Sequence, residues 1–266
     1  MAGLWIIVAA VLFLCILADR FSGKFGMPAL ILFMGIGMLF GSDGLFRISF
    51  EDYQISEKIC AVALIFIMFY GGFNVKWETA KPVVGKALLL STAGVIITMG
   101  LTSLFCYYIL HFSFTDSFLT GAVLSSTDAA SVFAVLRKKK LNMKDGVASL
   151  LELESGSNDP VSYMLTVVGI LLKMGEDAGK IPVLIVSQII FGVILGVFFG
   201  LLGIFLLRKT SLITEGLDTI FMIGLILLVF GLSELIGGNE FLSVYLMGII
   251  LGNSRIRGKE VLVPFF

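Results

Sequence analysis

The chain has 266 residues, 58% of them hydrophobic and only 14% charged, with a mean hydropathy of +1.04. That much apolar surface exceeds what one soluble core of this length can hide, which excludes a soluble domain and leaves a multi-span membrane protein. Nineteen basic residues balance nineteen acidic ones, so charge points to no nucleic-acid partner, and three cysteines (Cys15, Cys60, Cys106) in or beside apolar runs support neither a disulfide framework nor a zinc site.

A bilayer-crossing helix needs about 20 mostly apolar residues. In chain order the candidate spans are 4–18, 27–41, 57–72, 86–110, 117–136, 147–173, 181–207, 217–237 and 240–253. The first lacks a basic leading stretch and reads as a retained span rather than a cleaved signal. The second and last are short. Glycines and other small residues recur along several spans, which permits close helix packing in lipid.

The loops test this partition. Those after odd-numbered spans carry Arg20 and Lys24; Lys76, Lys81 and Lys86; Arg137 to Lys140 with Lys144; Arg208 and Lys209; and Arg255, Arg257 and Lys259. The even-numbered loops carry only Arg47, Lys58, Lys173 and Lys180. This alternation predicts an outside N-terminus and a cytoplasmic final loop. The RKKK run at 137–140 reads as a topology determinant at a helix end.

Charge at membrane depth costs at least a few kcal/mol, so it marks a cavity and a function. Two polar clusters stand out: LSSTDAASVF at 124–133 in the fifth span and LELESGSNDPVSY at 151–163 in the sixth. At about 100° per residue, Glu152, Ser155 and Asp159 form one helical stripe, and Glu154 with Asn158 forms the next. Gly156 and Ser157 leave room for a neighbouring helix backbone. Pro160 has no N–H, which frees the Gly156 carbonyl as an acceptor. Carboxylate, hydroxyl, amide oxygen and carbonyl are the hard donors that a dehydrated Na⁺ or K⁺ needs. Ser125, Ser126, Thr127, Asp128 and Ser131 compete with the backbone for hydrogen bonds and suit an unwound segment of the kind that lines transporter sites. Ser125, Ser126 and Ser131 also suit simple helix-tying. Asp128 and above all Asp159 read as functional. Asp218, Glu234 and His111 read as structural, and Glu152 as a charge near the cytoplasmic end.

SSTDAASVF at 125–133, followed by ESGSNDP at 154–160, resembles the NhaP-type branch of the monovalent cation:proton antiporters, which includes the cell-volume-regulation potassium/proton antiporters. GMPALILFMGIGMLFG at 26–41 resembles that family's second helix and FLSVYLMGIILGN at 241–253 its ninth. The resemblance implies an all-α integral membrane fold of thirteen helices in two inverted repeats. About nine would be present here: residues 1–180 as the first six-helix repeat, 181–210 as a linking helix and 211–266 as the start of a truncated second repeat. It implies Asp159 as the ion- and proton-binding carboxylate, holding Na⁺ or K⁺. Asn158 would be its amide neighbour and Ser155 a ligand, with Thr127 and Asp128 contributed by the unwound helix. Glu154 would pair with an arginine on a later helix, beyond Phe266. Tyr70 stands where family members often carry an acid. The implied protein is a transporter, not an enzyme, in the plasma membrane. It would need no cofactor beyond the transported cation and proton, and would be a homodimer when full-length. With Asn158 neutral and Asp159 alone titrating, exchange would be electroneutral. A non-functional fragment, a cation channel and an intramembrane aspartyl protease that pairs Asp128 with Asp159 are the alternatives.

Overall fold

The structure, a computed structural model, describes residues 2–25, 29–48, 50, 52–127, 146–209 and 217–255. All the regular structure among them is helical: α1 (Ala2–Phe25), α2 (Ala29–Phe40), α3 (Tyr53–Asn74), α4 (Trp77–Tyr108), α5 (Phe114–Leu124), α6 (Val147–Lys173), α7 (Ile181–Lys209), α8 (Asp218–Leu235) and α9 (Glu240–Gly252). Each predicted span overlaps one of these. Four stretches, at 53–74, 77–108, 178–208 and 218–235, are long and apolar enough to cross a membrane by length and composition. α2 and α9 are shorter apolar helices. Outward side chains such as Ile97, Leu101 and Val183 are 62%, 64% and 70% exposed, as a lipid-facing surface requires.

The helix limits differ from the apolar windows for identifiable reasons. α1 runs on past Asp19 and Arg20, because a charge ends an apolar window without breaking a helix. α4 begins nine residues before the predicted 86, taking in Lys81 and Lys86. Its first turns include Pro82 in a short 3₁₀ stretch at Lys81–Val83, where a missing N–H is tolerated. A π turn at Leu90–Gly94 follows.

Contacts divide the described residues into two compact units. In the first, residues 2–58, α1 packs on α2, and the Phe46 ring stacks on Phe40 at 4.5 Å. The second, residues 59–127 with 146–255, holds the candidate site. Its buried core joins α3, α8 and α9 through Ile65, Phe69, Met222, Ile226, Val229, Val244, Tyr245 and Met247.

α9 is the hub of that unit. Hydrophobic burial drives little helix association in lipid, so close approach by small residues matters more. Gly192, Gly196 and Gly200 form a one-turn-apart stripe on α7. A Cβ on Gly196 would lie 2.7 Å from the Ser243 carbonyl oxygen, and one on Gly192 3.0 Å from that of Asn239. On α9 itself, a Cβ on Gly248 would lie 2.6 Å from the Phe69 carbonyl oxygen of α3. The C-terminal end of α9 is latched by Asn253. Its Oδ1 accepts from the Trp77 N–H at 2.8 Å, and its Nδ2 donates to the Val75 carbonyl at 2.8 Å.

Candidate functional site

The site lies where the end of α5 meets the middle of α6. α5 starts on a capping arrangement, Ser113 Oγ accepting from the Asp116 N–H at 3.2 Å. It ends at Leu124, and Ser125, Ser126 and Thr127 leave the helix. The cause is local competition for the backbone. The Ala122 carbonyl accepts from Ser125 Oγ at 2.7 Å and from Ser162 Oγ of α6 at 2.6 Å, so hydroxyls occupy an acceptor that the helical ladder would otherwise use. The unwinding expected of this cluster is therefore present at 125–127. Asp128 and Ser131 lie outside the described residues.

α6 presents the opposing wall. It continues unbroken through Pro160. Glu154, Ser155, Asn158 and Asp159 all make hydrogen bonds to residues 126–127. Ser126 Oγ donates to Asp159 Oδ1 in a short contact, and lies 3.4 Å from Asn158 Oδ1. Asn158, fully buried, donates from Nδ2 to Thr127 Oγ1 and to Glu154 Oε1, the latter at 3.1 Å. Thr127 Oγ1 in turn reaches Glu154 Oε1 at 3.2 Å. Ser155 Oγ donates to the Thr127 carbonyl at 2.7 Å. Asp159, Asn158, Ser155 and Thr127 are thus brought together, and Glu154 braces the unwound segment from the α6 side.

Some roles are redistributed. Ser126, equally suited to helix-tying, touches the Asp159 carboxylate directly. Gly156 admits a side chain rather than a helix backbone: a Cβ there would fall 2.5 Å from the Tyr245 hydroxyl of α9. Pro160 contributes its own carbonyl, which accepts from Asn239 Nδ2 at 3.1 Å. Sequence reasoning missed Ser162, Tyr245 and Asn239. Ser162 was legible, lying four residues after Asn158 on the same face. Asn239 follows a Gly-Gly pair and precedes an apolar run, the mark of a helix cap. It caps α9 through the Leu242 N–H at 2.8 Å. The positive φ of Gly237, 73°, turns the chain out of α8 just before it.

A helical, multi-pass membrane protein that holds a carboxylate among hydroxyls, an amide and a non-helical segment has the make-up of an ion site within a membrane protein. The chain belongs to the sodium/hydrogen exchanger family: the family model described as "Sodium/hydrogen exchanger, transmembrane" matches residues 8–265. It is 38% identical over 257 residues to the K(+)/H(+) antiporter NhaP of Alkalimonas amylolytica, covering 96% of this chain and 45% of that protein. It is 36% identical over 250 residues to a K(+)/H(+) antiporter NhaP2 of Shewanella sp. strain ANA-3, covering 92% and 43%. The chain therefore spans less than half the length of these curated relatives. The fold matches the sodium proton antiporter MjNhaP1 from Methanocaldococcus jannaschii with a TM-score of 0.81 at 22% identity, over 100% of this chain and 65% of that one.

Proposed function

We propose that the protein carrying this chain exchanges a monovalent cation, K⁺ or Na⁺, for H⁺ at Asp159, electroneutrally. The observation that carries this reading is the meeting of Ser126 and Thr127, outside any helix, with Asp159, Asn158 and Ser155 on α6. A bare carboxylate within a membrane span is costly even when half-buried, so Asp159 is neutralised by a proton or by a cation. One carboxylate cannot hold both, and the competition couples the two flows. The hydroxyl of Ser126 and the amide oxygen of Asn158 are the neutral donors that replace ion hydration. Asp128 belongs to the same reading as a second carboxylate of the unwound segment. The relatives named K(+)/H(+) antiporters support K⁺ as the cation; the fold match to a sodium proton antiporter keeps Na⁺ in view.

The same reading extends to architecture. Residues 1–180 form the first repeat of an inverted pair, 181–210 the linking helix, and 211–266 the opening of the second repeat. The basic residues in the odd-numbered loops support an outside N-terminus; the same reading has the protein in the plasma membrane, with a homodimer as the working unit.

Reconstituted liposomes provide the test. Adding K⁺ or Na⁺ outside should collapse an imposed pH gradient, and Asp159→Asn should abolish the response while the protein still purifies folded. Undiminished exchange in that variant would remove Asp159 from the mechanism.

A further inference from the structure

One buried carboxylate has no part in the exchange site as built above. Glu240 opens α9 and is only 7% exposed. Its Oε1 accepts a hydrogen bond from the Tyr163 hydroxyl at 2.7 Å. Tyr163 lies on α6 four residues after Asp159, one turn along the same flank. Its ring stands edge-on to Phe241 at 4.8 Å, and Phe241 meets Phe230 of α8 at 5.5 Å. The residue before Glu240, Asn239, holds the Pro160 carbonyl. The cap and the first residue of α9 therefore grip the turn of α6 that follows Asp159.

The charges around Glu240 do not settle it as an ion. α8 supplies a like charge, Glu234. α6 supplies only the neutral Tyr163 hydroxyl. From α7 comes the neutral Gln188 backbone, whose carbonyl is taken by the Asn239 N–H at 2.9 Å. Among the described residues Glu240 forms no ion pair with a cation. Glu240 is thus withdrawn from water with one neutral donor and, among the described residues, no cation beside it, and a proton is the simplest counter-charge for such a carboxylate.

We propose that Glu240 is a second proton-binding carboxylate, which transmits its protonation to the Asp159 site through Tyr163 and the α6–α9 contact. Its link to transport rests on the exchange reading; the proton site itself does not. Protonation turns an acceptor-only carboxylate into a group with a donor of its own. The hold on Tyr163, and with it the placement of the turn after Asp159, then differs between the two states. Glu240 is a proton site and Tyr163 a positioning residue.

Infrared difference spectroscopy on the full chain in liposomes, titrated with acid, separates the two claims. A protonated-carboxyl C=O band should survive in Asp159→Asn and disappear in Glu240→Gln. In Tyr163→Phe the band should move to higher wavenumber, because the carbonyl loses its donor. In liposome flux, Glu240→Gln and Tyr163→Phe should both shift the pH profile of exchange. A spectrum identical to the parent's in Glu240→Gln overturns the proton site. Loss of the band with both pH profiles unmoved overturns the coupling to Asp159. Should Glu240→Gln fail to fold, an unshifted band in Tyr163→Phe overturns the proposal by itself. Absence of exchange in the parent would sink the exchange reading alone, since the infrared result still decides Glu240.

Discussion

Two contacts in the second unit bring helices together by opposite means. Where α9 crosses α3 and α7, glycines remove side chains, and backbone meets backbone around Gly192, Gly196 and Gly248. Where α5 meets α6, side chains are kept, and hydroxyls, amides and carboxylates interlock from Ala122 to Asp159. The glycine contact has one geometry, because there is no side chain to rearrange. The polar contact is built from groups that can trade one partner for another, including a proton or a cation. The exchange proposed above would draw on both: a fixed frame and a place whose bonds are exchangeable.

The largest effect should come from filling the frame. Gly248→Val places carbon against the Phe69 carbonyl and should cost about 3 kcal/mol or more, as overpacking against backbone does. Loss of the monodisperse peak in detergent is the measurement, and a normal peak would mean the frame is as adaptable as the site. Next, Asn158→Ala removes a fully buried amide and leaves Thr127 and Glu154 without their shared donor. A loss of about 2 kcal/mol is expected, together with weaker cation dependence of flux, read by thermal unfolding with and without K⁺. Ion-dependent stabilisation equal to the parent's would show that the polar contact is as fixed as the glycine one.

Asn253→Ala should cost about 1–2 kcal/mol by opening the latch to Val75 and Trp77. Because it belongs to the frame, the cation concentration that gives half-maximal exchange should stay unchanged; a shift there would blur the two regions. The smallest effect lies at the exposed rim of the α5–α6 contact. Lys173 Nζ sits 2.6 Å from Asp116, and with the Ser113 hydroxyl it holds the Asp116 carboxyl below its usual range. A depressed carboxylate contributes its stability above its ordinary titration range and loses it as pH falls through the lowered value. Asp116→Asn should therefore lower the unfolding temperature slightly at neutral pH, by less in high salt, and not at all in strong acid. A difference that persists in acid would assign Asp116 a role beyond this ion pair.

Much of this was legible along the chain. Composition dictates the membrane, because an apolar chain of this size has no other solvent in which to fold. The apolar windows located the helices to within a few residues, except where α1 and α4 run on through charged residues and where α5 ends at Leu124, well before the predicted 136. Two adjacent stripes, Glu152 with Ser155 and Asp159 and Glu154 with Asn158, follow from helical periodicity, and the poor fit of Ser125–Thr127 to a helix follows from hydroxyls that compete for the backbone. What periodicity cannot supply is the partner. A helix repeats its own geometry but says nothing of what lies across from it. Only the folded chain decided that Ser126 rather than another hydroxyl reaches Asp159, that the space at Gly156 is filled by Tyr245, and that Glu240, distant in sequence, shares a hydrogen bond with Tyr163. Those contacts join residues 33 to 77 or more positions apart, and they depend on how whole helices cross.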